Sequence, residues 1–272
     1  MLYAYEYCKP ETLKQICKPN VEHSHCGAPE GKSEYPAEEM APLLPITNKV
    51  KRYFLDLHNG WRDKVASGQE VGKGGQNFQI GTRMREVIWD NELHYLAAFH
   101  VKRGKKYVEK CVSSKRLNYV SQIYGFKGGQ EMPDNVFDII NETFSKVYSN
   151  KVKIKDPSTM AANCTADVWG AGAKDFLRII QERLSRIGCA FGLGYNCVHS
   201  PGNVFRFCNY IVCNYDFDTK YFEINYQPGD KAASDCTEWG ATQSTKWPHL
   251  CGNTGKVFRY LSPWPNMPFG LA

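Results

Sequence analysis

Eleven cysteines in 272 residues constrain this chain more than any other feature. They stand at positions 8, 17, 26, 111, 164, 189, 197, 208, 213, 236 and 251. There is no CxxC pair, and His23 and His25 beside Cys26 lack a matching second half, so the spacing favours a disulfide framework over a zinc module. Such a framework needs an oxidising compartment, and the chain is expected outside the cell. Met1-Leu-Tyr-Ala-Tyr-Glu-Tyr-Cys8 has neither a charged start nor a long apolar run, so Met1 is read as an initiator ahead of a mature secreted chain. The odd count leaves at least one thiol free or bridging two chains.

The densest strand signal is Ile187-Gly-Cys-Ala-Phe-Gly192 followed by Phe205–Tyr215, rich in aromatic and β-branched residues. These two runs are predicted to be neighbouring strands. If Cys189 and Cys213 pair across them, the closed loop contributes about 3–4 kcal/mol. Cys197 and Cys208 flank Pro201-Gly202-Asn203 and are placed to tie a hairpin, which would leave Cys164 as the odd thiol. Cys236 and Cys251 are near enough to close a loop of their own.

Residues 1–45 have little periodicity and predict an extended strap held by disulfides. A central domain over 46–215 follows. Its first helix carries Val50, Phe54, Leu57, Trp61 and Val65, with Thr47 as N-cap and Gly68 as stop. A glycine-rich loop leads to the short run Val87-Ile-Trp89, and Asp90 caps a second helix bearing Leu93, Leu96, Ala97 and Val101. Tyr119–Tyr124 predicts a short strand, and Pro133-Asp134 opens a third helix with Val136, Ile139, Ile140, Phe144 and Val147. Phe176, Ile179, Ile180, Leu184 and Ile187 predict a fourth helix running directly into Cys189. Residues 216–272 lose helical period and form a cysteine-containing extension. Without a βαβ repeat, the order predicts an α+β fold, a three-layer helix–sheet–helix sandwich.

A hydrophobic content of 42% with 23% charged residues is that of a soluble globular protein, and no apolar run reaches the roughly 20 residues of a membrane span. The net charge is +6, with Lys102, Arg103, Lys105, Lys106, Lys110, Lys115 and Arg116 against Glu109, and Lys146, Lys151, Lys153 and Lys155 further on. A solvated face explains these, since no aromatics are interleaved as nucleic-acid binding would require; an anionic glycan is the alternative partner. Asn141-Glu-Thr143 and Asn163-Cys-Thr165 are glycosylation acceptors by pattern.

Several strings coincide: Leu57-His-Asn59 with Arg62, Trp89-Asp-Asn-Glu-Leu93 with Leu96-Ala-Ala98, Ile187-Gly-Cys189, and Val212-Cys-Asn-Tyr215. Together they resemble the signatures of the CAP superfamily of cysteine-rich secretory, antigen 5 and pathogenesis-related proteins. The strap Tyr7-Cys8 … Cys17 … His25-Cys26 and the loop from Gly68 to Arg83 resemble the insect antigen 5 branch, known from venom and saliva. The resemblance covers roughly residues 7–252. It implies an α-β-α sandwich and the pairings Cys8–Cys26, Cys17–Cys111 and Cys189–Cys213. A further family bridge is absent, its positions falling near Tyr35 and at Gly104.

In many relatives two histidines and two acidic residues line a cavity that holds a divalent metal. The resemblance puts those positions at Val108, Gln122, Asn150 and Asp175, the last in Lys174-Asp-Phe-Leu-Arg178. A valine and two amides leave one carboxylate, so no metal or other cofactor is expected. Some relatives hold fatty acids, sterols or eicosanoids between helices, and Phe54, Leu57, Trp61, Phe176, Ile179 and Ile180 are the candidates here. His58 reads as a structural hydrogen-bonder, His94 and His100 fall on different helix faces, and no cysteine sits in a nucleophile motif; neither a metal-dependent nor a Cys–His hydrolase is expected. The resemblance implies a secreted, non-enzymatic binding protein, allergenic and so a target of host IgE, with a host receptor as the other candidate partner. An integrin-type loop is not supported, for Arg103-Gly-Lys105 and Gln227-Pro-Gly-Asp230 are not Arg-Gly-Asp.

Overall fold

A computed structural model describes residues 7–26, 43–104, 107–132, 135–162, 172–200, 202–219 and 223–258. Tyr35, Lys105, Lys106, Pro133, Asp134, Asn163, Cys164 and Pro201 lie outside the described residues. Among the described residues five helices, α1 (Pro10–Ile16), α2 (Asn48–Ala66), α3 (Asn91–Arg103), α4 (Val136–Ser149) and α5 (Lys174–Ile180), surround four strands. The strands are β1 (Ile88–Trp89), β2 (Ser121–Gly129), β3 (Arg186–Ser200) and β4 (Asn203–Tyr215). They form one mixed sheet in the order β1-β3-β4-β2, with only the β1–β3 pair parallel.

Side-chain alternation along the two long strands supplies both faces of the sheet. Cys189, Phe191, Ile211, Cys213 and Tyr215 join the larger core with α2, α4 and α5. Ala190, Tyr210 and Val212 face the other way, toward Ala97 and Val101 of α3. This is the expected α-β-α sandwich. Cys189 lies opposite Cys213 in the register and is bonded to it. The bridges Cys8–Cys26, Cys17–Cys111, Cys197–Cys208 and Cys236–Cys251 are also formed.

The caps form as the sequence predicts at Thr47, which accepts from the Val50 amide, and at Asp90, which accepts from Glu92 and Leu93. Elsewhere the boundaries move. The α4 cap is Asn135, accepting from Phe137 at 2.9 Å, while the Pro133-Asp134 pair read as the opening of this helix lies outside the described residues. Strand β2 runs on to Gly129, because the β4 backbone opposite it stays extended as far as Phe207. The strap is not extended throughout: Pro10 at the first helical turn, Glu11 and Lys14 favour the short helix α1, whose Ile16 packs on Leu96 and Cys111. The tail rests on the sandwich. Residues 80–86 exchange backbone hydrogen bonds with Gln227, Asp235 and Cys251, and the Arg85 guanidinium lies 4.4 Å from the Trp239 ring.

The largest departure is the fourth helix, which ends at Ile180 instead of continuing to Ile187. Its last carbonyls find side-chain donors that a longer helix would exclude. Asn225 Nδ2 donates to the Leu177 carbonyl at 3.2 Å, and Arg62 Nη1 donates to Ile179 at 2.6 Å. Arg62 also reaches Gln181 (2.9 Å), Leu184 (3.2 Å) and, through Nε and Nη2, Arg85 (2.9 and 2.6 Å), all backbone carbonyls. Its side chain is wholly buried, and burial followed by the neighbouring Arg85 charge pulls its pKa down to about 9. It therefore stays charged at neutral pH.

Gly188 explains how α3 can lie so near the sheet. A Cβ there would stand 2.1 Å from the His94 nitrogen and 2.6 Å from the Asp90 oxygen, both backbone. Two substitutions test this packing. Arg62→Met takes a donor from four carbonyls, of which Gln181 keeps the Leu184 amide, and is expected to cost on the order of 4 kcal/mol in denaturant unfolding. Gly188→Ala should reduce the yield of folded protein sharply, since no flexible side chain is available to yield.

Candidate functional site

The resemblance assigns the metal cavity to Val108, Gln122, Asn150 and Asp175, and each has a separate setting in the fold. Val108 is exposed in the segment after α3 and carries no donor. Gln122, buried on β2, spends its carboxamide internally: Oε1 accepts from the Glu109 amide at 2.9 Å and Nε2 donates to Asn214 Oδ1 at 2.9 Å. Asn150 is the C-cap of α4, where a short 3-10 turn begins. Asp175 opens α5 and accepts from Arg178 Nη1 at 2.7 Å. Among the described residues no group of three or more His, Cys, Asp or Glu side chains is placed to hold a metal ion.

Arg178, one helical turn beyond Asp175, is the residue that sequence reasoning missed. Its Nε donates to Asp218 Oδ1 at 2.7 Å, Nη2 to Asp218 Oδ2 at 3.4 Å, and Nη1 to the Gln122 carbonyl at 3.1 Å. Burial works against its charge, but Asp218 and Asp175 together hold its pKa above the usual value. The i,i+3 spacing of Asp175 and Arg178 was the available signal.

Close by, His58 is fully buried. Its Nδ1 stands 2.7 Å from the Phe54 carbonyl, which can only accept, so Nδ1 carries the proton. That leaves Nε2 to accept from the Tyr215 hydroxyl at 3.0 Å. Burial lowers the His58 pKa to about 4, with Arg62 adding to the effect, while burial and Asp175 push the Tyr215 hydroxyl well above its ordinary value.

The candidate crevice residues separate. Phe54, Phe176, Ile179 and Ile180 have no exposed surface and belong to the closed core; Leu57 and Trp61 are half-buried at its margin, where Trp61 stacks on Tyr148. Any opening toward solvent from this stripe is therefore at Leu57 and Trp61. A depression of about 630 Å³ lies instead at the strap, lined by Leu13, Cys17, Pro19 and Val21 with Lys14 and Lys18. The basic run is less open than its composition suggests. Arg103 donates to the Ser24 carbonyl at 2.6 Å, Arg116 holds Asp90 and Glu92 at 2.6 and 2.8 Å, and Lys151 pairs with buried Glu70. Asn141 is exposed on α4, its carbonyl oxygen accepting from Ser145.

Two more histidines hold the strap. The His25 amide donates to His23 Nδ1 at 3.1 Å, so His23 Nε2 carries the proton given to the Ser113 carbonyl at 2.9 Å. The His23 ring stacks on Tyr7, and that of His25 on Phe99 at 3.8 Å. Burial lowers His23 to about 4, and burial aided by His23 and Arg103 lowers His25 to about 3.

The sequence profile of the cysteine-rich secretory protein family, CAP, matches residues 55–215. The antigen 5 like allergen Cul n 1 of Culicoides nubeculosus is 27% identical over 190 residues, 68% of this chain and 81% of that one. Venom allergen-1 of Aedes albopictus is 24% identical over 221 residues, covering 79% and 77% of the two chains. The crystal structure of NaASP2 with Zn2+ superposes with a TM-score of 0.58 at 16% identity, over 83% of this chain and all of that one.

The histidines make a pH prediction. His23, His25 and His58 are neutral in the folded state, whereas the unfolded chain takes up protons near pH 6.5, so stability falls as pH drops from about 6.5 toward 4. Asp216, whose carboxyl burial pushes up, opposes this in part. Between pH 7 and 5 the expected loss is on the order of 3 kcal/mol. Urea unfolding across that range should show the slope, and His23→Gln should flatten it.

Proposed function

The chain belongs to the cysteine-rich secretory protein family, CAP, and from that premise we propose that it is a secreted binding protein of the antigen 5 kind, without catalytic activity. A salivary or venom origin, and recognition by host IgE, follow from the relatives named as allergens. Secretion is supported by five disulfides, which a reducing cytosol would not maintain.

The observation that carries the absence of catalysis is the way the reactive groups are spent on one another. His58 is committed at both nitrogens, Tyr215 donates to it, and Asp175 is paired with Arg178. A general base needs a free lone pair within reach of a substrate proton, and His58 offers none. Zinc, present in the NaASP2 structure, does not fit the residues here: the donors are a valine, two amides and a paired carboxylate.

The small hydrophobic ligand of this reading has its seat in the strap depression rather than between the core helices. Apolar Leu13, Pro19 and Val21, with the ammonium groups of Lys14 and Lys18 outnumbering the carboxylate of Glu22 beside Asn20, suit a carboxylate-headed amphiphile. A glycan or receptor role for the basic run draws less support, since Arg103, Arg116 and Lys151 are engaged internally.

Native mass spectrometry of the protein from its source should give the mass of the fully bridged chain with a bound amphiphile, lost on changing Lys14 and Lys18 to Glu. Ester, peptide and phosphodiester substrates should show no turnover above buffer. A rate that His58→Gln abolishes would overturn the non-catalytic reading.

A further inference from the structure

The Arg178 guanidinium is bounded by oxygen: both carboxylate oxygens of Asp218, Oδ1 of Asp175 and the main-chain carbonyl of Gln122. These come from three places in the fold, namely the first turn of α5, the start of β2 and the segment just past β4. Lys174 Nζ adds a second positive charge 3.8 Å from Asp218 Oδ2. The Arg178 side chain is 10% exposed and that of Asp218 19%, so this pair is largely withdrawn from water, while Asp175, 40% exposed, forms the open rim of the cluster. Attraction between such charges is then strong, while removal of one partner is costly.

Two carboxylates and a backbone carbonyl converging on one point are the donors that hard divalent cations take. Here the point is occupied by a cation that is part of the chain and does not dissociate. We propose that Arg178 is a built-in replacement for a metal ion, cross-linking α5, β2 and the β4 exit so that this site needs no divalent cation. Whereas a bound ion would exchange with its surroundings and respond to chelators, the guanidinium is present in every folded molecule. The fork also explains the residue type. A lysine could neutralise the charge, but only the planar guanidinium can donate to Asp218 through two nitrogens while a third serves Asp175 and Gln122.

The proposal stands apart from the question of catalysis and ligand, and is tested on the full chain by thermal unfolding with EDTA, MnCl2 or ZnCl2 at about 5 mM. The wild-type midpoint is expected to be the same in all three. Arg178→Ala should melt lower and regain about 5 °C in Mn2+, a gain absent from the Arg178→Ala/Asp218→Asn double variant. If Arg178→Ala does not fold unaided, refolding from urea should give more folded protein in Mn2+ than in EDTA. A wild-type midpoint that falls in EDTA or rises with either metal would overturn the proposal. So would an Arg178→Ala protein that neither melts higher nor refolds better in Mn2+.

Discussion

The structure depends on the guanidinium of Arg62. A side chain with five N–H donors and no acceptor is expensive to bury unless every donor is matched, and here all five are. The matching oxygens belong to the approach to β1, to the last turn of α5 and to the turn between α5 and β3. One residue of α2 thus fixes where α5 stops and where the long hairpin begins. The turn satisfies these carbonyls only in part, the Leu184 amide donating to Gln181 at 3.2 Å, because it has left the helical geometry that would pair the others.

The other signature residues act in the same manner. Asn59 pairs with the Val87 backbone at both its amide and its carbonyl, His58 links α2 to Tyr215, and Asn214 donates to the Leu93 carbonyl. Asp90 caps α3 and receives Arg116 and Arg186. What looks in the sequence like a set of functional motifs is therefore a set of polar joints between elements. The cavity region follows the same logic, with Arg178 performing for α5, β2 and the β4 exit what Arg62 performs for α5 and β3.

How much of this was legible depended on the range of the interaction. Caps at Thr47 and Asp90 act within a few residues and could be read directly, as could the facing strands and the cysteines across them. The end of α5 could not. Phe176, Ile179, Ile180, Leu184 and Ile187 keep a helical spacing, yet Leu184 is buried in a turn and Ile187 in a strand, and burial alone does not distinguish these states. The donors that decide the matter come from Arg62, 117 residues before Ile179, and from Asn225, 48 residues after Leu177. Arg178 escaped notice for the same reason, its partners Asp218 and Gln122 being 40 and 56 residues away. The stripe on Phe54 and Phe176 is apolar by residue type alone. Whether it bounded a crevice or a closed core was set by how the helices meet.

Buried charges in this fold are neutralised from within the chain, by Arg62, Arg178 and their partners. Elemental analysis of protein purified from its source without chelator measures this most directly. Zinc, copper, manganese and calcium should each be far below one equivalent per chain. Close to one equivalent of any of them, retained through gel filtration and displaced only by chelator, would contradict it.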